Sequence, residues 1–209
     1  MKINIQGRDF CIEDLDNDNI DKLSKKLSEW QTNESFMRFL KDTPMSPREN
    51  FDILKNKLSD SRNVNKLILQ KSPKEIMGFI LFDEFDSSQN SLESYTRIDP
   101  NMTKIGLGSQ CRKMIIDTLL LSDSISKIIS WHSARNKGSL CINRNAGFKL
   151  VDFVKEKTFL PNIHKFTDDF KWEIEKEDIL NPHKHGKIKS NHDKVIQGLI
   201  QYELLDLLK

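Results

Sequence analysis

The amino-acid sequence predicts an α/β protein with one mixed sheet and helices on both faces of that sheet. The spacing of apolar residues carries this prediction. It is three to four residues, as in helices, in the segments 16–30 and 46–60, and it changes to the pattern of strands from residue 65 onward. Later strands alternate with helical segments, an order that covers both faces of a sheet. The 209 residues are enough for one such core.

The first three elements are a strand and two helices. Residues 2–12 are predicted to form one strand. Residues 16–30 follow as a helix, with Asp16 or Asp18 as its N-cap residue. The helix over 46–60 begins with the sequence SPRE, which places a capping-box serine, a proline at the first helical position and a glutamate three residues after the serine.

The remaining elements complete the order β-α-α-β-β-β-α-β-α-β-β. The first two of these strands are predicted to form a hairpin, and Met114, Ile115, Thr118, Leu119 and Leu121 are predicted to be the apolar stripe of the helix after it. In chain order, the elements are strands at 65–70, 75–85 and 91–99, a helix from 107, a strand at 126–133, a short helix within 136–148 that ends at Gly147, and strands at 148–157 and 168–179.

The C-terminal segment is predicted to be an extension, residues 181–209, to a domain of residues 1–180. A polar linker precedes an amphipathic helix, whose apolar stripe needs a protein partner. Its own core, a second subunit in a homodimer and another protein are the alternatives, and we expect an ordered helix docked on a protein surface. The stripe consists of Val195, Ile196, Leu199, Ile200, Leu204, Leu207 and Leu208.

Charge and cysteine content narrow the classes of function. The net charge is +2, and this excess lies in residues 181–209, which carry five Lys and three Asp or Glu. The neutral remainder lacks the basic excess of nucleic-acid-binding domains, so we expect no nucleic-acid partner. No apolar run is long enough to span a membrane, and residues 1–10 lack the apolar core of a secretory signal. Three cysteines without paired spacing are typical of the cytoplasm.

The histidines do not indicate a metal site. His183, His185 and His192 lie in the predicted linker, without a cysteine or carboxylate at ligand spacing, so we expect a solvated segment and no metal. His132 is a lone histidine on a strand, for which a structural role is expected.

Two glycines, Gly106 and Gly108, lie at the start of the helix after the third strand of the group. A helix N-terminus presents unpaired N–H groups, and glycine lets the backbone approach an anion because it has no Cβ. A phosphate site and an ordinary strand-to-helix turn are both consistent with this pattern. The stretch lacks the P-loop signature and the third glycine of a dinucleotide-binding fingerprint.

A second motif, NKGSLCINRNAGF at 136–148, follows the next strand. Together with DPNMTKIGLGS at 99–109, it resembles the GNAT superfamily of acetyl-CoA-dependent N-acetyltransferases, and most closely the branch that acetylates the N-terminal alanine of ribosomal proteins. The resemblance covers about residues 5–180 and implies the GNAT acyl-CoA N-acyltransferase fold, acetyl-CoA as cosubstrate and an amine as acceptor. Thr103 occupies the family's Arg or Gln position, and Lys104 is the candidate replacement charge. By resemblance, the residues that contact CoA are Ile98, Lys104, Ile105, Gly106, Leu107, Gly108, Ser109, Asn136 and Ser139.

Acetyl transfer needs a neutral amine, donors for the oxyanion and an acid for the leaving thiolate. Glu93 occupies the family position of the base, although an exposed strand glutamate is the alternative. Tyr95, two residues on and on the same face of the strand, is a candidate acid or a packed aromatic. Ser139 is a second candidate acid, or a residue that only makes hydrogen bonds within its helix. Cys141 is expected to pack within its helix, because direct attack needs no acyl-enzyme.

The sequence therefore predicts an N-acetyltransferase that transfers acetyl from acetyl-CoA to a protein N-terminus, a lysine or a polyamine-like amine by direct attack. The alternative is a GNAT-fold CoA-binding protein with weak or lost catalysis that acts as a binding or regulatory module. The sequence does not name the acceptor. By resemblance, its site lies between the first two helices and the last two strands.

Overall fold

The computed structural model of the chain describes residues 1–103, 105–122, 124–181 and 192–208. They form one eight-stranded sheet with strand order β1-β2-β3-β4-β5-β6-β8-β7. The strands are β1 (Lys2–Ile5), β2 (Arg8–Asp14), β3 (Val64–Lys71), β4 (Lys74–Asp86), β5 (Ser91–Ile98), β6 (Lys127–Ser133), β7 (Lys149–Leu160) and β8 (Lys165–Glu175). The helices are α1 (Ile20–Trp30), α2 (Glu34–Met37), α3 (Pro47–Ser59), α4 (Leu107–Leu121), α5 (Lys137–Ala146), α6 (Lys176–Leu180) and α7 (His192–Gln201).

The pairing of β5 with β6 differs from every other pairing in the sheet of the described residues. The other neighbours are antiparallel, whereas β5 and β6 are parallel and pair only at Ser91–Glu93 with Lys127–Ile129. Beyond Glu93 the two strands have no ladder between them. The sheet is therefore open in its middle, and this opening positions the site described below.

Helices cover both faces of the sheet, which confirms the predicted fold class. On one face, α1 and α3 contribute Leu23, Trp30 and Leu54 to a core with β3 and β4. On the other face, the core includes Ile115 of α4 and Leu140 of α5. Burial of apolar side chains on both faces is the main term that holds these layers together.

The prediction of one strand over residues 2–12 was wrong, because β1 and β2 form an antiparallel hairpin. Gln6 and Gly7 turn the chain with positive φ angles of 51° and 77°. Two consecutive left-handed residues form the tight turn whose twist matches paired strands. The short helices α2 and α6 were also not predicted, and α6 replaces the end of the predicted last strand.

Helix ends were predicted more accurately where the sequence carries a local capping signal. Ser46 and Glu49 form the predicted capping box at α3, and Gly147, with φ of 92°, ends α5 as predicted. The N-cap of α1 is Asn19, not Asp16 or Asp18. The Asp16 carboxylate instead accepts the N–H groups of Asp18 and Asn19 one turn earlier.

The predicted apolar stripe of α4 is rotated from the buried face that the structure shows. Thr118 and Leu121 are exposed, whereas Cys111, Arg112 and Ile116 are buried. The run MIIDTLLL is apolar on nearly every side, so its spacing alone does not select one face.

The C-terminal helix packs on its own chain, which was one of the three predicted alternatives. Helix α7 ends at Gln201, earlier than predicted, and its Val195 and Leu199 are fully buried beside β7. The side chains of Gln201 and Tyr202 donate hydrogen bonds to Asp168 on β8. The homodimer through this helix stays a prediction, and most of the predicted linker lies outside the described residues.

Replacing Gly198 with valine is expected to lower the free energy of unfolding by about 2 kcal/mol. A Cβ at this position would lie 2.6 Å from the Phe153 ring, and Phe153 is itself buried against Phe170. Urea denaturation measures the change. Valine at the exposed neighbouring position Gln197 is the matched control, since it places the same side chain on the outer face of α7. Equal unfolding midpoints for the two variants would show that α7 does not depend on this contact.

Candidate active site

A cavity of about 340 Å³ lies where β5 and β6 separate. Side chains of α1, α3 and the segment between α2 and α3 line it from one face of the sheet, and α4 and α5 line it from the other. The predicted catalytic residues Glu93, Tyr95 and Ser139 all line this cavity, as does Asn136. The fold thus brings Glu93 and Ser139, which are 46 positions apart in the sequence, to the same cavity.

Glu93 lies at the last paired position of the β5–β6 ladder. Burial raises the pKa of its carboxyl, and the nearby Glu84 carboxylate adds to this, while Lys41 and Lys157 oppose it. A buried carboxylate with a raised pKa is a better proton acceptor than an exposed one. The surroundings therefore favour the base over the solvated strand residue.

The Tyr95 hydroxyl is occupied by a neighbouring carboxylate. It donates a hydrogen bond of 2.5 Å to Asp83 on β4, and Asp83 also pairs with Lys57 of α3. Burial and this carboxylate raise the pKa of Tyr95. A phenol in these surroundings gives up its proton less readily, so the arrangement favours the packed aromatic over the acid.

Ser139 and Asn136 lie at the N-terminus of α5. The Asn136 side chain accepts the N–H of Ser139 at 3.1 Å and caps the helix. The Ser139 side chain is on the cavity wall one turn into the helix. Capping thus explains Asn136, whereas the Ser139 hydroxyl stays available as a candidate acid at the cavity.

The two glycines before and in α4 have different physical roles. Gly106 is the N-cap residue in the left-handed region, with φ of 83°, and among the described residues a Cβ there would meet only Gln110, at 3.9 Å. Gly108 is a close-packing position, because a Cβ would lie 3.1 Å from Ile98 and 3.4 Å from Ile142. The turn therefore needs glycine at 106 for its backbone conformation and at 108 for the contact between α4, β5 and α5.

The other described residues of the predicted CoA loop lie partly in the core and partly at the surface. Leu107 is buried in the core and Ile105 packs against it, so backbone groups are what this loop presents outward. Ser109 is partly exposed in the first turn of α4, where the N–H groups of a helix have no partner within the helix. Lys104 lies outside the described residues.

A family model of the acetyltransferase (GNAT) domain matches residues 12–149, which are 138 of the 209 residues. This chain belongs to the GNAT acetyltransferase family. The predicted family and fold are thereby confirmed.

Solved structures of GNAT acetyltransferases share the fold. The acetyltransferase (GNAT family) from Bacillus anthracis is 14% identical, with a TM-score of 0.69 over 85% of this chain and 99% of that chain. The spermidine N-acetyltransferase from Vibrio cholerae, in complex with CoA and spermine, is 16% identical, with a TM-score of 0.70 over 82% and 98%. The ribosomal-protein α-N-acetyltransferase RimL, in complex with coenzyme A, is 14% identical, with a TM-score of 0.72 over 84% and 98%. No curated protein sequence matches the chain.

Several residues of this GNAT cavity were not found from the sequence. Arg112 of α4 lines it, as do Asp169 of β8 and Thr158 of β7, which are joined by a hydrogen bond of 2.6 Å. Lys157 lies beside them, with its Nζ 3.1 Å from the centre of the Trp131 ring. The available signal was that Arg112 follows Gly108 by four positions and precedes Ile115 by three, which places it on the buried face of α4.

Two other sequence expectations concern His132 and Cys141. A structural role was expected for His132, and this side chain lines the cavity. Burial lowers the pKa of His132 to about 4, so the ring is neutral at pH 7. Cys141 is exposed, so the expectation that it packs within its helix was wrong. It lies on the outer face of α5, one position after the buried Leu140.

The described residues contain neither a cluster of metal ligands nor a membrane-spanning helix. Within the described ranges, no three His, Cys, Asp or Glu side chains are placed to hold a metal ion, and His183 and His185 lie outside those ranges. None of the described helices is both long and apolar enough to cross a membrane.

Proposed function

We propose that this protein is an acetyl-CoA-dependent N-acetyltransferase that acylates a primary amine by direct attack on the thioester. The observation that carries the proposal is the position of Glu93, a half-buried carboxylate with a raised pKa at the point where β5 and β6 separate. Family membership supplies the class of reaction, and this carboxylate supplies the proton acceptor that the reaction needs.

The start of α4 is the proposed binding site for the CoA pyrophosphate. Gly106 turns the chain so that the N–H groups of Leu107, Gly108 and Ser109 begin the helix. These groups and the helix dipole favour an anion. From there, Ile98 and Ile142 pack around Gly108, and Ile142 also lines the cavity, so one layer of side chains separates the phosphate site from the acyl site.

The chemistry follows from the groups around the opening. An amine with a pKa of about 8 to 10 is protonated at neutral pH, and Glu93 accepts its proton, directly or through water. The free amine attacks the thioester carbon, the new C–N bond forms and the C–S bond breaks. Ser139 is the candidate that returns a proton to the leaving thiolate, because Tyr95 donates its hydroxyl hydrogen to Asp83.

The proposed acceptor enters between the α2–α3 segment and strands β7 and β8. Lys41 and Asp42 face the cavity from the first side, and Thr158 and Asp169 face it from the second. Both charge signs are present, which fits a protein N-terminus, a lysine or a polyamine-like amine. The Vibrio cholerae relative acts on spermidine and the RimL relative on a ribosomal protein, so these two acceptor classes are the first to test.

A panel of amines with acetyl-CoA tests the proposal, with mass detection of the acetylated product. The panel contains polyamines, a lysine peptide and peptides with free N-terminal alanine or serine. An increase of 42 Da in one class, dependent on acetyl-CoA, is the expected result.

The second candidate is a CoA-binding protein without efficient catalysis. The hydrogen bond from Tyr95 to Asp83 favours it, because it removes one of the two candidate acids. CoA binding without acetylation of any amine in the panel would select this candidate. Absence of CoA binding would refute both. The proposed compartment is the cytoplasm, where the three free thiols would stay reduced.

A further inference from the structure

The floor of the cavity on the α4 side is polar and contains a buried cation. Arg112 is only 3% exposed, yet it lines the cavity. Its guanidinium lies 4.9 Å from the centre of the Phe148 ring and donates to the Ser94 hydroxyl at 2.6 Å. Since Ser94 follows Glu93 directly, Arg112 lies beneath the point where β5 and β6 separate.

This cation has no anionic partner among the residues that the structure describes. Its hydrogen bonds go to the neutral oxygens of Ser94, and its Nε is buried without an acceptor in that part of the chain. Burial lowers the pKa of Arg112 to about 9, so it is still charged at pH 7. A buried charge without a counter-ion is costly to the fold, and such a position is typical of a group that meets its partner in a ligand.

The residues beside Arg112 are also polar. The methyl group of an acetyl thioester would instead fit against apolar side chains. Ser130 and His132 on β6 line the same cavity. Ser130 accepts the amide of Asn143 at 3.2 Å, and the Nε2 of His132 is buried with no partner in the described chain. Arg112, Ser94, Ser130 and His132 together form what we call the polar floor.

We infer that the polar floor binds a carboxylate at the end of the acyl group, so that the protein takes the CoA thioester of a short dicarboxylic acid, such as succinyl-CoA, as well as acetyl-CoA, and binds the dicarboxylic thioester more tightly. The inference rests on the proposed function, because CoA must lie in this opening. A guanidinium binds a carboxylate through charge-assisted hydrogen bonds, and the Nε–H of Arg112 has no acceptor among the described residues, while a terminal nitrogen already donates to Ser94.

The transfer is balanced in the same way as for acetyl. The amine nitrogen attacks the thioester carbonyl, the C–N bond forms, and the C–S bond breaks. The amine proton goes to Glu93, and the sulfur leaves as CoA thiolate and takes up a proton. The distal carboxylate undergoes no chemical change and stays paired with Arg112 throughout.

A carboxylate could also arrive on the acceptor amine. The position of Arg112 favours the acyl donor, because α4 covers the face of the sheet opposite to α1 and α3, the side on which the acceptor segment with Lys41 and Asp42 lies. Binding measured without any acceptor separates these two sources.

Equilibrium binding of acetyl-CoA and succinyl-CoA to the full-length protein, by calorimetry, tests the inference. The wild type is expected to bind succinyl-CoA about tenfold more tightly, the range of a hydrogen bond to a charged group. Arg112→Leu should remove that preference and keep acetyl-CoA binding, and Arg112→Lys should retain part of it. Lys113→Leu, which removes a neighbouring but exposed charge of α4, is the matched control and should behave as the wild type.

The outcomes separate this inference from the proposed function. Tight binding of both thioesters without discrimination, or an unchanged preference in Arg112→Leu, would overturn the carboxylate site and leave the proposed function standing. Failure of the wild type to bind either thioester would overturn both. A preference that appears only with a carboxylate-bearing acceptor would assign Arg112 to the acceptor and refute the inference. Arg112→Met, of similar length, provides a second variant if the leucine variant does not fold.

Discussion

Replacing Glu93 with glutamine is expected to lower kcat about 100-fold, the usual contribution of a general base, while CoA affinity stays unchanged. Glutamine keeps the size and the hydrogen-bonding oxygen of the side chain but accepts no proton at neutral pH. Because Glu93 lies at the end of the β5–β6 ladder and not at the start of α4, the variant should leave the proposed CoA phosphate site intact. Steady-state rates and calorimetric binding of CoA measure the two effects separately.

The pH dependence should identify the same group. Glu93 acts as a base only when ionised, and burial raises its pKa. The kcat/KM of the wild type should therefore rise with pH through this raised pKa and then level off, and the Glu93→Gln variant should lack that rise. Glu84→Gln is the comparison variant, since Glu84 lines the same cavity and its carboxylate adds to the raised pKa of Glu93; it should move the rise to lower pH and keep the rate above it. A rate that falls as much in Glu84→Gln, or not at all in Glu93→Gln, would rule out the assigned role.

Replacing Gly106 with valine is expected to weaken CoA binding by about 10- to 100-fold, the loss of one or two charge-assisted hydrogen bonds. Gly106 has a positive φ of 83°, a conformation that costs other L-residues about 1–2 kcal/mol. The chain relieves this strain by turning the following peptide units, which changes the direction of the N–H groups at the start of α4. Calorimetric titration with CoA measures the change.

Gly7→Val is the matched control for this experiment. Gly7 has a similar φ of 77°, with no atom of the described residues within 4 Å of a Cβ, and it lies in the β1–β2 turn, outside the residues that line the cavity. Both variants should lose similar stability, and only Gly106→Val should lose CoA affinity. Equal CoA affinity in the two variants would show that the CoA phosphate does not bind at the start of α4.

The sequence predicted the elements whose signals are local. The capping box at Ser46 and Glu49, the glycine that ends α5 and the change of apolar period each depend on residues within one turn or strand. The first turn was missed because Gln6, unlike glycine or asparagine, gives no sign that it adopts a left-handed conformation. The buried face of α4 was missed because apolar residues surround the helix.

The residues of the candidate site were likewise predictable only where the sequence signal is local. Glu93 and Tyr95 share one strand, so their common face followed from alternation along it. Thr158 and Asp169 reach the cavity only because β8 pairs with both β6 and β7, an arrangement that no local pattern specifies. Arg112 was not predicted to line the cavity, because an arginine within a helix is ordinarily a surface residue.

The short ladder between β5 and β6 makes the sheet two plates joined along a narrow seam. One plate, β1 to β5, consists of antiparallel neighbours that follow each other along the chain, and the other contains β6, β8 and β7. Three residue pairs join them in the plane of the sheet, together with the packing of α4 and α5 beneath. A molecule that fills the opening would contact both plates, and we expect its binding to restrict any movement of one plate against the other.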